Sequence, residues 1–417
     1  MSISQNFPNT RPSLNLNFAR SKTLDPRITF IRIQTGNDAS YVDEDGLIKY
    51  ASANEPRFDH DPETGECLGL LIEEQKSNLI TYSSDMSQWS ANVSPIYADN
   101  DTTAPDGTLT ADKLTGNNSA ADGLYIEVTI STNTTYTVAS FIKPTDQPTT
   151  RIGVYSNVDS WYGNVDTDWD ANGEPTTQNS VGASNIKYDP YPNGWYRVSF
   201  QFTSPSTING DVSYFHMPDR TISGKSAWFW GAQLETSSFA SSYIPTEGST
   251  KTRTKDYPTI SGTNFTDFYN SSEGTIYVKY NIEGSYATDG YNRIFEVSDG
   301  GSANRYTALL RGTNQDIYEG GWNATLNFNI SLITFGDFYT YIMGYKENDF
   351  QRYTIDRNGN IDGNTDTSVT VSSFTPTELN IGYEAVNDNR QLNGHISQLV
   401  YYPARLSNSQ LQTLLLQ

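Results

Sequence analysis

The chain has 417 residues, more than one typical domain, so two or three domains are expected. Its net charge of −21 comes from 27 basic and 48 acidic residues, and such a surface repels duplex nucleic acid and anionic membranes. No stretch approaches the ~18 consecutive apolar residues that a membrane-spanning helix needs. We therefore expect neither nucleic acid nor a membrane among the partners.

The composition predicts an all-β protein. Hydrophobic residues make up 35% of the chain and aromatic residues 13%, and aromatic side chains favour half-buried strands. Thr, Ser, Asn and Gly separate the apolar runs as turn formers do. The single cysteine, Cys67, rules out an internal disulfide and is expected to be a half-buried strand residue rather than a reactive thiol.

The first residues, 1–13, are polar and carry two prolines. They predict either an extended arm on a neighbouring subunit or a disordered tail. They lack the apolar run of a signal peptide, so we expect the protein to be made and folded in a cytoplasm.

The segment Leu14–Leu79 is unusually rich in Arg, Asp, Pro and Gly. The alternation LNLNF predicts a strand, and DEDG predicts a hairpin turn in which Gly46 takes a positive φ. The segment is too short and too charged to bury a core alone, so we expect it to pack against the following domain or against other subunits. Five charged residues could form a catalytic cluster, but we favour structural ion pairs; they are Arg27, Arg57, Asp59, His60 and Asp61.

The same segment carries a family resemblance. The runs LNFARSKTLDPRITFIR, YVDEDGLIKYASANEPRFDHDPETGECLGLLIEEQKSNL and ITYSSDMSQW closely resemble a segment near the N-terminus of tailed-phage virion proteins. In those proteins it usually precedes carbohydrate-binding-type sandwiches. The resemblance implies a part of a phage particle, without saying which part, and residues 1–80 would be its virion-attachment or assembly segment.

The pattern of residues 81–250 predicts a jelly roll. Strands of about six residues, among them YIEVTI, TYTVASFIK and GWYRVSFQF, are separated by turn formers. The runs APDGTLTADKL, TYTVASFIKP, NGWYRVSF, WGAQLE and SSYIPTEGSTKTR resemble a carbohydrate-binding module. The resemblance implies that Trp195 and Trp230 belong to the core and that Gly194 and Gly231 allow close backbone approach.

Residues 251–262 are basic and are expected to be a solvated linker, followed by a third unit at 263–417. Its ending, LNGHISQLVYYPARLSNSQLQTLL, closely resembles the last strand and helix of concanavalin A-like, laminin-G-like sandwiches. Ser407 and Gln410 predict a capping box for that helix. Leu406, Leu411, Leu414 and Leu415 predict its apolar face.

Catalytic motifs are scarce in the sequence. The three histidines, His60, His216 and His395, fall in three different predicted units, which disfavours a His-based metal cage or a Ser-His-Asp triad. Asp166, Asp168 and Asp170 start like a calcium-binding EF-hand loop. Ala171 and Thr177 then break the pattern, so calcium is a weak expectation and we expect no other cofactor or metal.

A sugar site needs aromatic faces beside amides, carboxylates or guanidinium groups. The run SWYGNVDTDWDANGE offers this set, and its candidate carbohydrate-binding residues are Trp161, Tyr162, Asn164, Asp168, Trp169 and Asn172. Packing in the core or at a subunit contact is the competing interpretation for the tryptophans. A weaker candidate is Gly320–Asn323 with Asp316 and Tyr318.

We therefore predict an all-β chain with a small N-terminal β segment, two β-sandwiches, one a jelly roll and one concanavalin A-like, and a short C-terminal helix. The predicted function is that of a tail fibre or other appendage of a tailed-phage virion. It would be a homotrimer that contacts other virion proteins and binds host-surface glycans without catalysis. Two alternatives stay open: a capsid decoration or connector protein that binds only virion proteins, and a glycan depolymerase.

Overall fold

A computed structural model describes residues 10–416, with gaps at 35, 37–38, 285–290, 302–304, 312–315, 322–323, 329–333, 357, 369–370, 372–374 and 387–389. The predicted all-β class is confirmed. No helix among the described residues has the length and apolar character needed to span a bilayer.

The N-terminal elements are short. They are β1 (Leu14–Asn17), α1 (Phe18–Ser21), β2 (Thr29–Ile31), β3 (Ala39–Val42), β4 (Ile48–Ala51), β5 (Phe58–His60), β6 (Cys67–Ile72) and β7 (Lys76–Asn78). The predicted hairpin is confirmed, because β3 pairs with β4 and Gly46 has a φ of 74°. Cys67 is half-buried at the start of β6, as expected.

The middle elements form the first sandwich. They are β8 (Ser90–Asn92), β9 (Ile96–Thr102), β10 (Ala111–Thr115), β11 (Gly123–Glu127), β12 (Thr135–Pro144), β13 (Thr149–Ser156), β14 (Ser160–Trp169), β15 (Pro175–Val181), β16 (Ser184–Tyr191), β17 (Trp195–Thr203), β18 (Val212–Met217) and β19 (Ser226–Thr236), with single 3₁₀ turns at Met86–Gln88 and Pro192–Gly194. One sheet has the strand order β16-β17-β12-β19-β10-β9 and the other β15-β14-β13-β18-β11-β8. Alternate residues such as Val138, Val154, Val165 and Phe200 fill the space between them.

The last elements belong to a second sandwich. They are β20 (Lys251–Arg253), β21 (Tyr257–Ser261), α2 (Thr263–Thr266), β22 (Glu273–Asn281), β23 (Tyr291–Ser298), β24 (Arg305–Arg311), β25 (Asp316–Gly321), β26 (Ala324–Phe328), β27 (Phe338–Lys346), β28 (Asp349–Ile355), β29 (Ile361–Asp366), β30 (Glu378–Ile381), β31 (Gly394–Tyr402) and α3 (Asn408–Leu415). One sheet runs β29-β28-β27-β22-β31-β6-β5, and the other runs β2-β21-β30-β23-β24-β25-β26.

The N-terminal strands complete this second sandwich. β1 and β6 pair with the same edge of β31, at Leu14–Asn17 and at Leu70–Ile72. An uncovered edge would leave a row of unpaired backbone groups, and both strands remove that exposure. Leu14, Leu16 and Leu70 bury their side chains in the core shared with the late strands. The segment is expected to pack against the following domain or against other subunits, but these strands pack against the unit at the far end of the chain.

Residues 251–262 are not the solvated connector that their charge predicted. β20 pairs with β7, and β21 lies between β2 and β30. Arg253 and Asp256 are fully buried. Their charges are compensated by ion pairs, which is why a basic, polar stretch can be buried. The predicted boundaries of the units themselves stay predictions.

A buried ion cluster ties these segments together. It consists of Arg32, Arg57, Glu73, Arg253 and Asp256, each 3% exposed or less. Arg57 reaches Glu73 at 2.6 Å and Asp256 at 2.7 Å, and Arg32 reaches Asp256 at 2.9 Å. This confirms the structural role favoured for Arg57, and Arg27 likewise pairs with Asp25 at 2.8 Å.

The two tryptophans expected in the core, Trp195 and Trp230, are both 1% exposed. They pack with Phe141 and Tyr243 beneath Ile48 of the β3–β4 hairpin, outside the main core of the first sandwich. The hairpin thus covers the outer face of the sheet that contains β17 and β19.

The C-terminal helix α3 agrees with the sequence. Ser407 and Gln410 form the predicted capping box. Leu406, Leu411, Leu414 and Leu415 are buried against the outer face of the sheet that contains β22 and β31.

Candidate functional site

Four aromatic side chains form a continuous cluster on the outer face of the sheet β15-β14-β13-β18-β11-β8. We call Tyr125, Tyr155, Trp161 and Phe215 the aromatic platform. Tyr125 lies opposite Phe215, and Tyr155 lies opposite Trp161 across the strands. Their ring centroids are 5.1 to 5.8 Å apart. Strand alternation explains the position, because their neighbours Val154 and Tyr214 point into the core.

A glycine makes room for the central ring. Trp161 on β14 touches Phe215 on β18, with β13 between the two strands. Gly153 on β13 lies between Phe215 and Asn164 in this row. A Cβ at Gly153 would lie 2.6 Å from the Cβ of Asn164, so a side chain here would collide. The missing side chain lets Trp161 lie across the strand.

Asn164 is fully buried on this same face. Among the described residues, neither its Oδ1 nor its Nδ2 has a hydrogen-bond partner. A buried amide without partners costs ~1–3 kcal/mol, so such groups usually have a partner that completes them. The amide of Asn164 is therefore an unsatisfied buried group beneath the outer face, beside the platform.

An ion pair also contacts the ring of Trp161. The guanidinium of Arg151 binds Asp166 through two nitrogens, with Nη2 2.6 Å from Oδ2. Its Cζ lies 4.8 Å from the centroid of the Trp161 ring. Both charged groups are more than nine-tenths buried. The pair fixes the cation over the aromatic face and so holds the ring in one orientation.

The structure separates the residues predicted for the sugar site. Trp161, Asn164 and Asp168 share the outer face, where Asp168 accepts a hydrogen bond from Thr149. Trp169 is a core residue, 3% exposed, and its Nε1 donates to Thr150 Oγ1 at 2.9 Å. Its expected role in sugar contact is therefore wrong, since the ring is closed off from solvent.

Tyr162 and Asn172 also lie away from the platform. Tyr162 packs against the edge of the core, and its hydroxyl donates to Asp159 at 2.7 Å. Asn172 is exposed in the turn after β14, where its backbone N–H donates to Asp170 at 2.7 Å. The weaker candidate around Trp322 and Asn323 lies outside the described residues.

The aspartates proposed for calcium have other partners. Asp166 forms an ion pair with Arg151. The backbone N–H groups of Glu174 and Asn172 donate hydrogen bonds to Asp170 and lower the pKa of its carboxyl group. Within the described ranges, no three His, Cys, Asp or Glu side chains gather as a metal site would require.

A second feature is a cleft of about 680 Å³ where the N-terminal hairpin, the first sandwich and β31 meet; we call it the junction cleft. His60 and His395, predicted in separate units, both line it, because β5 and β6 extend the sheet that contains β31. His395 lies 2.9 Å from Asp59 and 2.9 Å from Asn281. The two histidines therefore line one cleft, although the sequence places them in separate predicted units.

No protein-family model matches the chain, and no curated protein is significantly similar to it. Among solved structures, the NanB sialidase of Streptococcus pneumoniae is similar at 13% identity and a TM-score of 0.31, over 37% of this chain and 26% of that chain. The CBM40 of a Ruminococcus gnavus IT-sialidase is similar at 14% identity and a TM-score of 0.29, over 35% and 84%. The CBM22-1–GH10 modules of a Clostridium thermocellum xylanase reach 17% identity and a TM-score of 0.26, over 39% and 29%. Similarities at these identities and TM-scores do not indicate a function. This chain spans about a quarter of the length of NanB.

Proposed function

We propose that this protein is a glycan-binding component of a tailed-phage virion, a tail fibre or other appendage, and that the aromatic platform contacts the sugar. The observation that carries the glycan site is the platform itself: a half-buried tryptophan that meets Tyr155 and Phe215 edge to face and has the guanidinium of Arg151 over its ring. The virion role rests on the resemblance of residues 14–79 to phage proteins.

The chemistry of the face suits a sugar. The C–H face of a pyranose packs on an aromatic ring, and its hydroxyls donate and accept hydrogen bonds. Trp161 and Tyr155 supply the rings, and the half-buried carboxylate of Asp168 on the same face supplies hydrogen-bond acceptors. Arg151 and Arg220 lie beside Asp166, and Asp168 lies on the same face, so two positive groups balance two negative ones and the site favours neutral sugar units.

Each copy of the protein would bind the glycan with low affinity, and a particle that carries several copies would bind it with high avidity. A single shallow face makes few contacts, and repetition in a homotrimer raises the avidity without new contacts. In this proposal the N-terminal segment joins the protein to other virion proteins, and the chain has no catalytic role.

Replacing Trp161 with alanine tests the platform. We expect Trp161→Ala to weaken binding to an array of bacterial surface glycans by about tenfold, the size of a lost ring contact. Trp228→Ala is the matched control, because Trp228 is also half-buried but lies on the opposite sheet and donates to Asp101. Equal binding by the two variants, with unchanged unfolding temperatures, would refute the platform as the sugar site. New reducing or unsaturated ends in the glycan would point to the depolymerase instead.

A further inference from the structure

We infer that the junction cleft is a second ligand site, which takes a neutral saccharide of a few sugar units. The cleft is separate from the aromatic platform, and the inference does not depend on the platform. Its volume of about 680 Å³ is in the range of small-molecule sites, and its walls come from three parts of the chain.

Each wall carries a buried polar atom that has no partner among the described residues. These atoms are His60 Nε2 on β5, Arg197 Nε on β17 and Asn393 Nδ2 just before β31. The three residues are 5%, 8% and 0% exposed. More than ~90% of buried polar groups in proteins are paired, so three such atoms on residues that line one cavity point to an absent partner.

The pattern of donors and acceptors defines the chemistry of that partner. His60 Nδ1 lies 2.9 Å from the carbonyl oxygen of Val42, and only a protonated Nδ1 can donate there. In the neutral ring Nε2 is then an acceptor, whereas Arg197 Nε and Asn393 Nδ2 are donors. A ligand must therefore offer both donors and acceptors, which hydroxyl groups do.

Charge argues against an anion. Six carboxylates line the cleft, and they are Asp59, Asp61, Glu63, Glu73, Asp189 and Glu283. Glu73 is already paired with Arg57 and Arg253, and the other five carboxylates face Lys187, Arg197 and the imidazole of His395, which leaves an excess of negative charge. Like charges repel a sialic acid or a phosphate, so a neutral ligand fits better.

Aromatic side chains complete the walls. Phe141, Tyr191, Phe239 and Tyr243 line the cleft, and the rings of Phe141 and Tyr191 meet edge to face at 5.0 Å. Apolar rings among hydrogen-bonding groups match the alternating C–H and O–H surface of a saccharide.

The three histidines provide a built-in test by NMR. The full-length protein, labelled in its histidine rings, is titrated with glucose, galactose, N-acetylglucosamine and lactose. At least one of these should saturably shift the ring signals of His60 and His395, and leave His216, which is buried in the first sandwich, unchanged. N-acetylneuraminic acid and putrescine serve as the anionic and cationic probes.

A tryptophan substitution that fills the cleft can be compared with the same substitution at an exposed position elsewhere. Ser199 lines the cleft on β17 and is 3% exposed, so Ser199→Trp should abolish the shifts. The control is Ser180→Trp, at an exposed position on the edge strand β15. If Ser199→Trp does not fold, Ala240→Trp, also in the cleft lining, replaces it.

The outcomes are distinct. No shift with any neutral sugar, a response to the anion or the cation alone, or shifts that survive the filled cleft would each overturn the proposal. Trp161→Ala should leave the histidine shifts intact, which separates a failure of this site from a failure of the platform.

Discussion

His395 has an unusual environment for a histidine. It is 2% exposed, with Asp59 at 2.9 Å on one side and Glu283 at 3.6 Å on the other. Burial alone would lower its pKa, but the hydrogen bonds and charges of the two carboxylates outweigh this and raise the pKa of His395 to about 9. The protonated ring therefore joins β5 of the N-terminal segment to β31.

This raised pKa predicts a loss of stability in alkali. The protonated His395 contributes fully to the free energy of unfolding below pH 6.5, the ordinary pKa of histidine. This contribution disappears as the pH rises through about 9. The free energy of unfolding should fall between these values by up to about 1.4 kcal/mol per pH unit. Urea unfolding at a series of pH values measures it, and His395→Gln should flatten this part of the curve.

His216 is the internal contrast for that experiment. Burial lowers the pKa of His216 to about 3, so its effect on stability lies below pH 6.5, where the unfolded chain takes up the proton first. A wild-type stability that rises between pH 6.5 and 9 would contradict the ion pair at His395.

Single residues of the sugar site show why the sequence predicts only some of the side chains on the outer face. Trp161 and Trp169 are eight positions apart, so strict alternation places both on the same face of a strand. A β-bulge where Val154 and Tyr155 of β13 meet β14 adds one residue to β14 and turns Trp161 outward while Trp169 stays inside. No pattern in the sequence around Trp161 predicts this bulge. Tyr155 and Phe215 could not be assigned to the site because the sequence does not show that β13 and β18 lie beside β14.

At the level of elements, the sequence predicts local features and leaves the long-range pairing of strands open. The 43–46 turn and the Ser407 cap depend on neighbouring residues, and the structure has both as predicted. The pairing of β1 and β6 with β31 joins strands more than 300 residues apart. Alternation gives the faces of a strand but does not name its partner, so the second sandwich could not be assembled from sequence alone.

The buried ion cluster should be essential for holding these elements together. Asp256→Ala leaves Arg32 and Arg57 without a shared carboxylate in a fully buried place. We expect a loss of about 3–5 kcal/mol in the free energy of unfolding, measured with urea. Asp25→Ala is the matched control, because its pair with Arg27 is partly exposed and should be worth less than about 1 kcal/mol. Equal losses in both variants would show that the cluster does not hold the segments.

At the scale of the whole molecule, the N-terminal segment lies between two sandwiches. Its strands complete the second sandwich, and its hairpin covers Trp195 and Trp230 on the first. This leaves the outer face with the aromatic platform on the far sheet of the first sandwich, away from the hairpin. A protein that is anchored through its N-terminal segment could present that face to another surface.

Hydrogen–deuterium exchange tests the central claim most directly. The full-length protein is compared alone and with the array glycan that it binds most tightly. We predict slower exchange in β13, β14 and β18, the strands that carry Tyr155, Trp161 and Phe215. Protection confined to other parts of the chain, with these three strands unchanged, would contradict the assignment of the aromatic platform as the glycan-binding face.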